Sequence, residues 1–186
     1  TLLGGMNEPR EELPRARNQG ANGIEQRHPG SDLPEPAVLV DDAVPALRCG
    51  GRIVYVGAGT SGRIGVQDGS ELLPTFNWPA DRVVFLMAGG LDALVRSVEG
   101  AEDSEADGAR AIGEANVDSS DVVIGIAASG TTPYTIGALR AAKAAGAITV
   151  AIVNNPGAPL LSAAKHRIIV ETGPDAASYA WITESP

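Results

Sequence analysis

The stretch "DVVIGIAASGTTPYTIGALRAAKAAGAITVAIV", residues 121–153, decides the fold. It opens on a β-branched apolar run and stops at a Ser-Gly-Thr-Thr-Pro turn. An Ala-rich helical segment follows, and a second apolar run closes it. Neither run alternates with polar residues, so both faces of each strand are covered, as in a parallel sheet. The helix between them makes a right-handed crossover. Thr131 or Thr132 can cap that helix, Pro133 suits its first turn, and Gly146 ends it.

The same pattern extends in both directions. "RIVYV" (52–56), "RVVFLMA" (82–88) and "HRIIVE" (166–171) complete a set of five short strands with helix-favouring stretches between them. The expected architecture is an α/β three-layer sandwich around a five-stranded parallel sheet. Residues 36–49, "PAVLVDDAVPALRC", predict a short helix interrupted or bent at Pro45. Residues 1–34 carry Pro, Gly, Asn and charge without a period and read as a flexible N-terminal arm. No long apolar core marks their start as a secretory signal.

Composition narrows the function. The formal charge is −9 and aromatics are 4% of residues, which argues against nucleic acid and anionic membranes as partners. No apolar run approaches the ~18 residues of a membrane span. With two His and a single Cys, a His/Cys zinc site is disfavoured. Cys49 allows no intrachain disulfide, suits a reducing compartment, and reads as an inert helix-end residue.

In doubly wound sheets, ligands gather where the strands' carboxyl ends meet a switch in strand order. Two loops stand there: "VGAGTSGRIG" (56–65) and "AASGTTPY" (127–134). Helix starts present unpaired N–H groups, and the hydroxyls add donors, which together suit a phosphate. Gly57, Gly59 and Gly62 also match a dinucleotide fingerprint. That reading wants an acidic residue at the end of the second strand, about 20 positions on, where this chain has "DGSELLP". Two hydroxyl-rich loops favour a phosphosugar instead. Glu71, in "QDGSELLPTF", has apolar neighbours and is expected to be buried enough to act as a general acid. Glu102, in "SVEGAEDSEADG", is its candidate partner, while Glu105 and Asp107 read as a solvated helix start.

Taken in order, "GGRIVYVGAGTSGRIGVQDGSELLPTF", "AGGLDALVRSVEGAEDS", "DVVIGIAASGTTPYTIGALRAAKAAGA" and "NNPGAPLL" resemble the sugar-isomerase (SIS) domain of N-acetylmuramic acid 6-phosphate etherases. The resemblance covers about residues 50–174, roughly two thirds of the chain. It implies a flavodoxin-like SIS phosphosugar-binding domain over 35–173. It also implies cleavage of the D-lactyl ether of N-acetylmuramic acid 6-phosphate by elimination and hydration in cell-wall sugar recycling, in the cytoplasm. Neither metal nor organic cofactor is implied. By motif, Glu71 becomes the proton donor to leaving lactate and Glu102 its partner in proton transfer or orientation. Gly59, Thr60, Ser61, Gly62, Ser129, Gly130, Thr131 and Thr132 become the 6-phosphate site, with Asn154 and Asn155 either lining it or forming a simple turn.

The pattern departs after "ETGP": residues 174–186 are a divergent tail, and the expectation is a shortened etherase or a reused domain. Apolar faces left uncovered would then make a homodimer. A non-catalytic phosphosugar-binding regulatory module is the main alternative. An aldose–ketose phosphosugar isomerase would share the loops but give no reason for "VEGAED".

Overall fold

A computed structural model describes residues 35–96 and 98–170. The arm and tail expected over 1–34 and 174–186 lie outside them. Five strands, β1 (Ile53–Gly57), β2 (Val83–Met87), β3 (Val122–Ile126), β4 (Ile148–Val153) and β5 (His166–Ile169), form one sheet in the order β2-β1-β3-β4-β5. All four pairings are parallel. The helices are α1 (Glu35–Arg48), α2 (Gly59–Phe76), α3 (Glu105–Glu114), α4 (Pro133–Ala144) and α5 (Leu160–Ala163). The five-stranded α/β sandwich is therefore as expected, each strand within a residue or two of its predicted ends.

Period-two alternation sorts the strand side chains between two layers of helix. Val54, Val56, Val123, Ala151 and Val153 join Ile112 of α3, Ala138 and Leu139 of α4, and Leu160 of α5 in the larger core. Val122 and Val150 face the other way and meet Ala43 of α1 in a smaller one. α2 covers β1 and β2 beside α1. It buries Gly62, Gly65 and Gly69 in a stripe. A Cβ on Gly69 would lie 2.4 Å from the Phe85 ring, so the helix axis comes closer to the sheet than side chains would allow.

α1 runs through Pro45 to Arg48 instead of stopping there. Pro45 is exposed, and its own carbonyl still accepts the N–H of Cys49 at 3.1 Å. The helix is fastened to the start of β5 by polar contacts. Asp42 meets Lys165 at 2.7 Å and His166 Nε2 at 2.8 Å, while Glu35 accepts the backbone N–H of Arg167 at 3.0 Å. No helix among the described residues is long and apolar enough to cross a membrane.

Candidate functional site

β1 and β3 are the central neighbours at which strand order switches, so the loops leaving them lie side by side. A hydrogen bond joins the loops: Ser61 Oγ accepts the backbone N–H of Ala128 at 3.4 Å. α2 begins directly behind β1 with Ala58 as its cap residue. The amides of Gly59, Thr60 and Ser61 thus fall in the first helical turn, where N–H groups have no partner within the helix. Gly59 and Thr60 are exposed there.

Two glycines of the expected phosphate site contribute differently from the expectation. The Gly62 N–H already donates to Ala58 at 3.0 Å, and that of Gly130 to Ala127 at 2.9 Å. Neither amide remains for an anion. Gly130 has φ +67°, and a Cβ there would sit 2.3 Å from that of Ala158. The start of α4 is likewise not the open cradle that its hydroxyls imply. Thr132 occupies the cap position without capping, Pro133 has no N–H, and Tyr134 donates its own to the Glu102 carbonyl at 3.0 Å. What this loop offers is hydroxyls: Ser129 Oγ and Thr131 Oγ1 are 3.0 Å apart, and both residues are exposed. Asn154 and Asn155 make turn contacts, to the Val170 carbonyl at 2.8 Å and from the Gly157 N–H at 3.0 Å.

Beside the first turn of α2 opens a cavity of about 430 Å³. Gly59, Thr60, Arg63, Arg96, Glu99 and Glu102 supply its polar lining. Neither arginine was singled out in the sequence, because the phosphate reading counted hydroxyls and glycines. Arg63 Nε donates to the carbonyls of Ala93 at 3.1 Å and Leu94 at 3.2 Å, and Nη2 to that of Arg96 at 3.4 Å. It therefore straps the turn 91–96 to α2. A larger cavity of about 560 Å³ shares the Ala101 wall and runs along β2. Its charged groups pair with one another: Arg110 meets Asp107 at 2.6 Å and Glu114 at 3.4 Å.

Glu102 stands in the wall of the smaller cavity, exposed at its side chain. Glu71 does not line it. It lies two residues beyond buried Gly69, roughly 200° around the helix, and so on the side of α2 away from the sheet. Its expected burial is absent from the single chain: Glu71, Leu73, Pro74 and Phe76 are all exposed. The apolar neighbours in sequence are distributed around the helix and do not enclose the carboxylate.

A family model described as the glucokinase regulatory protein N-terminal SIS domain matches residues 37–143. The chain belongs to the SIS-domain family. This SIS domain is 55% identical over 142 residues to an N-acetylmuramic acid 6-phosphate etherase of Deinococcus radiodurans, spanning 76% of this chain and 47% of the relative. It is 53% identical over 143 residues to the etherase of Mesorhizobium japonicum, spanning 77% and 47%. The chain thus spans about half the length of the curated relatives it matches. Among solved structures, a phosphoheptose isomerase from Francisella tularensis superposes with a TM-score of 0.53 at 16% identity, over 80% of each chain. That likeness shows the same fold.

Proposed function

We propose that this SIS domain binds N-acetylmuramic acid 6-phosphate and acts in cleaving its D-lactyl ether, giving N-acetylglucosamine 6-phosphate and D-lactate in the cytoplasm. The observation that carries the reading is one juxtaposition. The first turn of α2 is tied through Ser61 to the amide of Ala128, the residue just before the Ser129–Thr131 hydroxyl pair, and it borders a cavity walled by Glu102. The etherase relatives supply the substrate.

The 6-phosphate sits at Ser61, Ser129 and Thr131, with the amides of Gly59 and Thr60 donating to it. Thr132, Gly62 and Gly130 shape the loops around it. The open-chain sugar extends into the cavity. A base takes the proton at C2, α to the C1 aldehyde, and the electron pair forms the C2–C3 double bond. The C3–O bond breaks, and lactate leaves with a proton from an acid. Water then adds at C3 and a proton returns to C2. Glu102 is placed for one of these transfers. Glu71 serves as donor to lactate and activator of water, and it reaches a site from the outer face of α2. That face also exposes Ile64, and Phe76 projects beside the end of the helix. A homodimer joined there would bring Glu71 to the partner's cavity and cover these apolar groups.

The test is D-lactate release from N-acetylmuramic acid 6-phosphate by the purified chain, beside Glu71→Gln and Glu102→Gln. Release that falls by on the order of a hundredfold or more in each supports the assignment. Unchanged release in Glu71→Gln removes Glu71 from the mechanism. The second reading, a binding module without turnover, is favoured by the exposure of Glu71 in the single chain. It predicts that the phosphosugar raises the melting temperature while no lactate appears.

A further inference from the structure

The proposed substrate carries two anionic groups, and the hydroxyl loops answer only its phosphate. The lactyl ether ends in a carboxylate, which would enter a cavity already holding Glu99 and Glu102. In a chain of net charge −9, that second anion needs a local cation. Two line the cavity. Arg63 is committed through Nε and Nη2 to three carbonyls of the turn 93–96. The Arg96 guanidinium is exposed and has no side-chain partner among the described residues. The strap from Arg63 reaches the Arg96 carbonyl itself, so the backbone that carries the second arginine is held against α2.

Resting on the etherase reading, we propose that Arg96 receives the lactyl carboxylate and thereby selects the ether substrate over phosphosugars lacking it. Arg63 acts as a positioning residue behind it. A planar guanidinium can meet a carboxylate with two parallel N–H donors. The phosphate loops lie at the strand ends and Arg96 on the turn after β2. The two anions of one ligand are therefore read by separate elements, and discrimination rests on the second.

The test uses two probes that cannot open to an aldehyde and so cannot eliminate: 1,5-anhydro-N-acetylmuramic acid 6-phosphate and its counterpart without the lactyl group. Dissociation constants are measured for the wild-type chain, Arg96→Gln and Arg96→Lys, with circular dichroism confirming the fold. Wild type is expected to bind the lactyl probe more tightly. Arg96→Gln should weaken that binding by roughly ten- to a hundredfold and leave the lactyl-free probe within about twofold, with Arg96→Lys in between. Equal loss for both probes, or loss for neither, overturns the assignment. Wild-type binding of the lactyl-free probe alone overturns it together with the etherase reading, but leaves the phosphosugar site standing. Binding of neither probe overturns the phosphosugar reading and the role of Arg96 with it.

Discussion

Arg52 grips Asp121 with two prongs, Nε to Oδ1 at 3.1 Å and Nη2 to Oδ2 at 2.6 Å, and adds its backbone N–H to Oδ1 at 2.9 Å. The same guanidinium donates to the carbonyls of Ala115 and Asn116 behind α3. One ion pair thus fastens the start of β1, the start of β3 and the end of α3. Asp121 is 2% exposed. Burial alone would raise its pKa, but the hydrogen bonds and charge of Arg52 outweigh it and hold the carboxyl below its ordinary value. A pKa lowered by folding contributes stability above the unfolded value and loses it as pH falls through the folded one. Stability should therefore decline below about pH 4, and less steeply in Asp121→Asn, as urea melts at several pH values would show. At neutral pH, Arg52→Ala should cost about 3 kcal/mol by leaving a buried carboxylate unpaired.

The α1 clamp titrates in the same sense. Hydrogen bonding from Lys165 first, then from His166, holds the Asp42 carboxyl below its ordinary value despite some desolvation. Acid should release α1 as Asp42 gains its proton. Amide hydrogen exchange over Glu35–Arg48 should quicken below about pH 4 before the central strands respond. Asp42→Asn should show that faster exchange already at neutral pH.

Gly130 tests the loop without touching a hydroxyl. Its positive φ and the 2.3 Å approach to Ala158 leave no room for a methyl group. Gly130→Ala should cost about 2 kcal/mol and weaken phosphosugar binding by more than the loss of either hydroxyl. Thermal melts and titration with glucosamine 6-phosphate would check both. Retained stability and affinity would show that the loop is not held by that contact.

The hydroxyls are separable in the same assay. Ser129→Ala and Thr131→Val should each weaken binding of a 6-phosphosugar on the order of tenfold, since each removes one donor to a dianion. The pair should fall short of a hundredfold, because the two oxygens are 3.0 Å apart and depend on one another.

The sheet was legible because its strands are continuous apolar runs, such as Val122–Ile126, punctuated by Gly, Pro and Asp. The two loops stood out because each sets Ser and Thr beside Gly between an apolar run and a helix start. Less legible was which donors remain free. The capture of the Tyr134 amide by the Glu102 carbonyl is a contact between segments that no local pattern announces. Arg63 and Arg96 were missed for a similar reason, since among the described residues their side chains meet backbone carbonyls or no partner. Glu71 was misplaced in burial because adjacency to Leu72 and Leu73 says nothing about which side of a helix meets the sheet.

The glycine stripe of α2 has a mechanical corollary. A helix that lies closer to its support than a Cβ allows cannot turn about its axis without driving a side chain into the sheet, so the stripe and the contacts beside it hold the azimuth together. Ser61 and Arg63 pin the first turn. Farther along, the phenol of Tyr55 donates to Asp68 Oδ2 at 2.6 Å and acts as a detent. Asp68 stands one turn before Glu71, so the azimuth of that carboxylate is set by a side chain rooted in the central sheet.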